Sequence, residues 1–159
     1  VAIKIESKGP IFYKQERSGL NGKPFKVYKF RSMVQDAEKG TGPVWSVKGD
    51  PRITKVGKFI RKVRIDEIPQ IINILRGEMS LVGPRAYLPN ELEEMGDFTN
   101  LIVRVTPGIT GWWQVMGRHD VTFRQRLIMD KYYIINFSLW MDFFIMVKTV
   151  WIIISGQGK

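Results

Sequence analysis

The chain has 159 residues, which is enough for one ordinary domain with a single hydrophobic core. Its 25 Lys and Arg residues outnumber its 15 Asp and Glu residues, so the net charge is +10. This excess indicates an anionic partner: nucleic acid, a phosphorylated small molecule or an anionic membrane. The absence of cysteine excludes a disulfide scaffold, a cysteine-ligated metal site and thiol catalysis. The single histidine, His119, excludes a site built from several histidines.

The two ends of the chain bear on whether the protein contacts or spans a membrane. The sequence begins at Val1 without a Met or a secretory signal, and we treat it as part of a longer protein. It has no uncharged apolar run of about 18 residues, so no transmembrane span is predicted. Residues 132–154 carry only two charges, Asp142 and Lys148, among aliphatic and aromatic side chains. This composition fits a membrane-interface helix and a buried pair of core helices equally well.

The first predicted element is a β-hairpin over residues 11–30. Its two arms alternate partly between apolar and polar side chains, and Asn21-Gly22 between them is a strong turn signal. We expect the hairpin to have one basic face. Lys26 and Lys29 would lie on that face near the other basic residues of the hairpin: Lys14, Arg17 and Lys23.

Two helices are predicted in the middle of the chain. Thr54 is placed to cap the first, and Asp66 lies near the start of the second. Pro69 falls in the first turn of the second helix, where proline is tolerated. Apolar residues recur at helical spacing in both: Val56, Phe59, Ile60 and Val63 in the first, and Ile68, Ile71, Ile72 and Leu75 in the second.

The second half of the chain is predicted to contain loops and helices. A short acidic helix is expected at 89–95, and residues 104–118 indicate a Gly-rich loop around two tryptophans. Thr122 with Gln125 forms a capping-box pattern that opens a helix through about Ile135, and Ser138 is placed to cap the last helix. Together with the hairpin, these elements predict an α+β fold that is mostly helical.

The adjacent carboxylates Asp66 and Glu67 are the most informative feature of the sequence. They follow a basic run, 61–64, and open an apolar helix, whose dipole stabilises each anion by about 0.3–1 kcal/mol. An ionised aspartate there can attack phosphorus, and a neighbouring glutamate can hold Mg²⁺ together with phosphates. A capping aspartate followed by a glutamate in the first turn gives the same pattern. On spacing alone, this structural interpretation is favoured.

Basic residues near glycine or in basic clusters form a second pattern. Lys29 and Arg31 flank Phe30, Arg85 follows Gly83-Pro84, and Arg118 follows Gly117. The planar fork of arginine fits phosphate oxygens, and glycine lets the backbone approach a ligand. Surface charge with turn glycines explains any single one of these motifs as well. The chain has no GxxxxGK[ST] or GxGxxG motif, so the ordinary nucleotide-binding folds lose support.

The aromatic segment 106–114 and His119 are open to two interpretations each. The segment, which ends at Gln114, could line a pocket for a base or a sugar, or it could be a packed structural loop. His119 is followed by Asp120, so a solvated or capping role is its default.

Short motifs that each occur once are spread along nearly the whole chain, from about residue 9 to residue 150. In order, they are Gly9-Pro10-Ile11-Phe12, Gln15, Arg17, Asn21-Gly22, Lys29-Phe30-Arg31-Ser32-Met33, Asp50-Pro51-Arg52-Ile53-Thr54, Gly57, Asp66-Glu67-Ile68-Pro69-Gln70, Asn73, Leu75, Gly77, Met79-Ser80-Leu81-Val82-Gly83-Pro84-Arg85, Pro107-Gly108-Ile109-Thr110-Gly111, Gln114, Gly117, Arg118, Tyr133 and Asp142. Together they resemble the bacterial sugar transferase family, the polyprenyl-phosphate phosphoglycosyl transferases that begin cell-surface glycan assembly.

The resemblance implies one catalytic domain over residues 1–159, of the monotopic type, with a two-step reaction. Asp66 would attack the sugar-bearing phosphorus of a nucleotide diphosphosugar, usually a UDP-sugar, and release UMP. A polyprenyl phosphate such as undecaprenyl phosphate would then accept the sugar phosphate. Glu67 would assist through Mg²⁺, with Asp66 and Glu67 as metal ligands. The implied substrate-binding residues are Lys29, Arg31, Arg61, Arg85, Gln114 and Arg118.

The resemblance also implies a place on the cytoplasmic face of the bacterial cell membrane, with amphipathic interfacial helices at the C-terminus. Family members carry a hydrophobic membrane segment just before the Gly9-Pro10 start, so that segment is expected to be missing here. Two positions depart from the pattern: Ala86 follows Arg85 where the family often has Pro, and Ile65 stands where Leu is usual. The first loosens the turn and leaves the arginine. The sugar, the glycan pathway and homodimer formation stay open.

Two other functions compete with the transferase. A nucleic-acid-binding module explains the charge of +10 and the aromatic residues, but it leaves Asp66-Glu67 and the ordered Gly-Pro motifs unexplained. Nucleic acid is therefore not expected as a partner. An inactive scaffold of a glycan-assembly complex is the other alternative, and the intact carboxylate pair argues against it.

Overall fold

The computed structural model describes residues 1–39, 49–117 and 121–155. These form an α+β fold with two small sheets, which confirms the predicted fold class. Three 3₁₀ turns, at Leu20–Gly22, Ile65–Gln70 and Gly96–Phe98, connect longer elements. The helices are α1 (Ala2–Glu6), α2 (Lys55–Lys62), α3 (Ile71–Leu75), α4 (Pro89–Glu94), α5 (Thr99–Ile102), α6 (Trp112–Met116), α7 (Phe123–Ile135) and α8 (Leu139–Ile154), and the strands are β1 (Phe12–Ser18), β2 (Pro24–Phe30), β3 (Ser80–Val82) and β4 (Gly108–Thr110).

The predicted hairpin is confirmed: β1 and β2 pair antiparallel over their full lengths. The connecting turn places Asn21 at φ 56° and Gly22 at φ 73°. Glycine adopts such left-handed values freely, and asparagine adopts them more readily than most residues. The Asn-Gly signal therefore marks the point at which the chain reverses.

The expectation of one basic face on this hairpin is wrong. Side chains alternate between the two faces of a strand, and Lys26 and Lys29 are an odd number of residues apart, so they lie on opposite faces. Lys26 pairs with Glu16 and is exposed. Lys29 pairs with Tyr13 and shares the inward face with the buried Arg17. The hairpin thus divides its basic residues between solvent and the interior.

Helix α2 packs directly on the segment that follows β2. Thr54 caps α2 as predicted, because its hydroxyl accepts a hydrogen bond of 2.9 Å from the N–H of Gly57. A Cβ on Gly57 would lie only 1.9 Å from the carbonyl oxygen of Ser32, so glycine alone fits this contact. The close approach brings Arg61, near the end of α2, to Ser32, which lies just after the strand that carries Lys29.

The segment from Ile65 to Leu75 turns its polar side inward and its apolar side outward. Its buried members follow the i, i+3, i+4, i+7 spacing of a helix face: Asp66, Pro69, Gln70 and Asn73. The apolar face predicted from the sequence lies on the other side and is exposed by 39% to 83%: Ile68, Ile71, Ile72 and Leu75. The usual burial pattern of an amphipathic helix is therefore inverted in residues 65–75, which are called the inverted segment below.

The second sheet pairs β3 with β4 in parallel. Beside this pairing the backbone segments approach so closely that only glycine fits. A Cβ on Gly108 would lie 2.2 Å from the amide nitrogen of Gly83, and one on Gly111 would lie 2.2 Å from the carbonyl oxygen of Gly83. The segment 104–118 is thus not the plain loop that the sequence predicts. Within it lie the strand β4 and the short helix α6.

The predicted caps of the last two helices are confirmed. The hydroxyls of Thr122 and Ser138 accept backbone N–H hydrogen bonds of 3.3 and 3.2 Å at the starts of α7 and α8. Ile145 of α8 is fully buried in a cluster with Tyr133, but much of α8 is exposed, including Trp140 at 77%. None of the described helices is both long enough and apolar enough to cross a membrane.

Candidate active site

Asp66 lies in the 3₁₀ turn that follows α2, two residues after Arg64, which adopts a left-handed φ of 57°. Its side chain is buried, and Oδ1 accepts no hydrogen bond from the described residues. A capping aspartate would occupy the N-cap position, but that position is held by Arg64 and Asp66 is the second residue of the turn. The capping interpretation is therefore not supported. A buried oxygen with unused lone pairs is what a nucleophile or a metal ligand requires.

Asp66 lines a cavity of about 400 Å³, a size that fits a small-molecule ligand. Lys29 and Arg31 line the same cavity, so the structure brings these three predicted site residues together. Tyr13, on the inward face of β1, donates a hydrogen bond of 2.8 Å to Glu38 in another wall. Sequence analysis missed Tyr13 and Glu38, although the alternation along β1 placed Tyr13 on the face shared with Arg17.

Glu67 is held by two cations. Lys29 Nζ lies 3.3 Å from Glu67 Oε1, and Arg64 Nη1 lies 3.5 Å from the same oxygen. The packing of β2 against the 3₁₀ turn brings Lys29 to this position, across 38 residues of sequence. Arg64 is an additional site residue that the sequence hypothesis did not single out, although it belongs to the basic run before the carboxylate pair.

The two carboxyls have pKa values shifted in opposite directions. Burial and the negative charge of Glu67 raise the pKa of Asp66, although nearby cations oppose this shift. Burial also acts to raise the pKa of Glu67, but the charges of Lys29, Arg64 and Arg85 outweigh it and lower that pKa. Glu67 is therefore a firmly ionised anion, whereas the ionisation of Asp66 depends on the cations around it.

Arg61 and Arg85 bring positive charge to the pair from two further elements. Arg61, near the end of α2, donates its Nε–H to the hydroxyl of Ser32 at 2.8 Å, and its charge acts on Asp66. Arg85 follows β3, and its charge acts on Glu67. Both predicted phosphate ligands thus lie within electrostatic reach of the carboxylates.

Arg31 has a structural contact in addition to its place in the cavity wall. Its guanidinium donates hydrogen bonds of 2.5 and 2.7 Å to the carbonyl oxygens of Ser7 and Lys8. It therefore ties the segment after α1 to the edge of the cavity. Its role in substrate binding stays a prediction.

Among the other predicted substrate-binding residues that the structure describes, Arg61, Arg85 and Gln114 do not line the cavity beside Asp66. Gln114 lies in α6, where its Nε2 donates to the carbonyl oxygen of Ile109 at 3.1 Å and its buried Oε1 has no described partner. Arg118 lies outside the described residues, as does His119. Their roles also stay predictions.

The Mg²⁺ site expected at Asp66 and Glu67 stays a prediction. Mg²⁺ is usually held by one or two protein carboxylates, together with phosphate oxygens and water. Asp66 Oδ1 is an unused oxygen of this kind, and Glu67 is its neighbour in the chain. Among the described residues, no group of three or more His, Cys, Asp or Glu side chains could hold a metal ion.

Comparison with protein families assigns the chain to a family by its sequence. The sequence model described as bacterial sugar transferase matches residues 1–156. The chain belongs to the bacterial sugar transferase family. This membership confirms the resemblance that the ordered motifs indicate.

Three relatives of this sugar transferase domain show how the similarity is distributed. The undecaprenyl-phosphate galactose phosphotransferase of Salmonella typhimurium is 42% identical over 164 residues, which cover 94% of this chain and 34% of the relative. The UDP-N-acetylgalactosamine-undecaprenyl-phosphate N-acetylgalactosaminephosphotransferase of Aeromonas hydrophila is 45% identical over 168 residues, which cover 99% of this chain and 38% of the relative. The exopolysaccharide production protein ExoY of Sinorhizobium fredii is 38% identical over 171 residues, which cover 99% of this chain and 76% of the relative. The chain thus spans about a third of the length of the first two relatives.

Proposed function

We propose that this domain transfers a sugar 1-phosphate from a UDP-sugar to a polyprenyl phosphate such as undecaprenyl phosphate, and so initiates the assembly of a surface glycan. The observation that carries the proposal is the buried, unpartnered Oδ1 of Asp66, in the wall of a cavity beside several cations. The names of the relatives support the same class, since two of them are phosphotransferases named for undecaprenyl phosphate.

In the first step, Asp66 acts as the nucleophile. Its carboxylate oxygen bonds to the sugar-bearing phosphorus while the bond from that phosphorus to the bridging oxygen breaks, and UMP leaves with this oxygen. Phosphoryl transfer depends mainly on positioning and on neutralisation of charge. Lys29, Arg61 and Arg85 supply positive charge around the carboxylate pair.

In the second step, an oxygen of the polyprenyl phosphate attacks the same phosphorus. The bond to Asp66 breaks, the carboxylate is restored and a lipid diphosphosugar leaves. Glu67 stays ionised throughout because of its lowered pKa, and it holds Lys29 beside the cavity. Asp66 and Glu67 would hold Mg²⁺, which when bound neutralises charge on the diphosphate.

Two exposed apolar surfaces support contact with the bacterial cell membrane, and the proposal places that contact at its cytoplasmic face. Helix α8 exposes Trp140 and Trp151, by 77% and 63%, and the inverted segment exposes Ile68 and Leu75, by 51% and 83%. Exposed apolar patches mark interaction sites, and tryptophan favours the membrane interface. A membrane that contacts the inverted segment would lie on the side opposite Asp66, separated from the nucleophile by the thickness of this one segment.

Release of UMP tests this function. The full-length protein in detergent, with Mg²⁺ and a polyprenyl phosphate, should release UMP from one member of a panel of UDP-sugars. Asp66→Asn should release none. Asp97→Asn, which removes an exposed carboxylate, is the matched control and should keep full activity. In a reaction quenched before the lipid is added, mass spectrometry should find the sugar phosphate on the peptide that contains Asp66.

Each part of the proposal has an outcome that contradicts it. Wild-type rates in Asp66→Asn would rule out the nucleophile. No release from the full-length protein with any UDP-sugar would rule out the donor class. If circular dichroism shows Asp66→Asn to be unfolded, Asp66 has a structural role and the loss of activity says nothing about attack on phosphorus.

A further inference from the structure

Asp130 is a buried carboxylate that the steps above do not use. It lies in α7 and is fully buried. Its Oδ2 accepts a hydrogen bond of 2.8 Å from the hydroxyl of Tyr87 and one of 3.3 Å from the backbone N–H of Arg85. Burial raises the pKa of Asp130 to about 7. A carboxylate in such a place is costly unless its contacts compensate for the loss of water.

These contacts complete the attachment of the loop Gly83–Arg85. The N–H of Gly83 donates to the carbonyl oxygen of Thr110 at 2.9 Å, and the carbonyl oxygen of Pro84 accepts from the N–H of Gly108 at 2.8 Å. Both partners belong to β4 and are backbone groups. The backbone N–H of Arg85 is instead held by a side chain, Asp130, from a helix 45 residues further along the chain.

The positive charge of Arg85 acts from this loop on Glu67. Its positive charge helps to lower the pKa of Glu67, and it also acts on Asp130. The backbone of Arg85 is thus anchored at α7, while its charge reaches the site. A displacement of about 1 Å in a positioning group can cost on the order of 100-fold in rate. A shift of the Arg85 backbone would move the point from which its side chain extends.

We propose that Asp130 is a positioning residue, which through its hydrogen bond to the Arg85 N–H aims the Arg85 guanidinium at the phosphates of the nucleotide sugar beside Glu67. This inference rests on the proposed function, which supplies those phosphates. Tyr87 supports the anchor, since its hydroxyl donates to the same oxygen of Asp130 and fixes the carboxylate orientation.

A double-mutant cycle between Asp130 and Arg85, with UMP release as the readout, tests this role. In the wild-type background, Asp130→Ala should lower kcat/KM by about tenfold to 100-fold. In the Arg85→Ala background, it should lower kcat/KM by less than about twofold, because no guanidinium remains to be aimed. Asp130→Asn keeps an oxygen acceptor of the same shape, so it should recover part of the loss. Asp130→Asn also replaces Asp130→Ala as the test variant if Asp130→Ala does not fold.

Tyr133→Phe is the matched control for general damage to α7. Tyr133 is also buried and also donates its hydroxyl to a carboxylate, that of Asp142, at 2.7 Å. Its removal should change kcat/KM by the same factor with and without Arg85. If Asp130→Ala behaves like this control, with equal effects in both backgrounds, the positioning role is overturned.

Hydrogen exchange at the Arg85 amide provides a readout that needs no turnover. This amide should exchange faster in Asp130→Ala than in the wild type, while the Gly83 amide keeps its protection. Equal exchange of the Arg85 amide in both proteins would overturn the inference, whatever the activity. No UMP release from the wild-type protein, with faster exchange in the variant, would instead refute the proposed function and leave the anchor in place.

Discussion

Asn73→Ala is expected to destabilise the protein strongly, because Asn73 attaches the inverted segment to β2. Its side chain is fully buried. Nδ2 donates to the carbonyl oxygen of Lys26 at 2.8 Å and to the carboxylate of Glu78 at 2.7 Å, and Oδ1 accepts from the N–H of Tyr28 at 3.1 Å. The substitution removes all three hydrogen bonds.

The magnitude follows from these three bonds. A hydrogen bond between neutral groups contributes about 1 kcal/mol net, and one to a charged group contributes about 1.5–3 kcal/mol. Asn73→Ala should therefore lower the free energy of unfolding by about 3–5 kcal/mol. With a urea m-value of about 2 kcal/mol/M, the unfolding midpoint should fall by about 1.5–2.5 M. UMP release should fall as well, since the inverted segment carries Asp66 and β2 carries Lys29.

Urea unfolding followed by circular dichroism measures this change. Asn136→Ala is the control, because the exposed Asn136 donates its Nδ2 hydrogen bond to the carbonyl oxygen of Tyr132, at 2.8 Å, in the helix that it ends. Its free energy of unfolding should change by less than about 0.5 kcal/mol. A loss below about 1 kcal/mol for Asn73→Ala would refute the argument that these bonds hold the inverted segment against β2.

Three further changes test the charges and the surface of the site. In the proposed reaction Asp66 is ionised, so activity should be lost as the pH falls through its raised pKa. Lys29→Gln removes a cation that lowers this pKa, so the acid limb of the kcat/KM profile should move to higher pH; a shift to lower pH would contradict this assignment. Asp66→Asn should melt at the same or a higher temperature at pH 7 by calorimetry, because the folded protein disfavours the charged form; a lower Tm would show a structural role. Leu75→Glu should change the free energy of unfolding by less than about 0.5 kcal/mol and reduce sedimentation with anionic lipid vesicles; unchanged sedimentation would exclude Leu75 from the membrane contact.

The sequence by itself determined the features whose signals are local. The Asn21-Gly22 turn and the caps at Thr54, Thr122 and Ser138 each depend on a few neighbouring residues, and all were found where the sequence predicts them. The sequence likewise shows directly that Asp66 and Glu67 are adjacent. Because a turn or a cap forms within about one turn of backbone, short motifs are sufficient to predict it.

Only the tertiary structure decided which side of each element faces the site. The register of β1 and β2 turned Lys29 inward and Lys26 outward, and the bonds of Asn73 turned the apolar side of its segment toward solvent. The anchor of Arg85 on Asp130 joins residues 45 apart in the chain. Such contacts depend on the relative placement of elements distant in sequence, and no short motif encodes that placement.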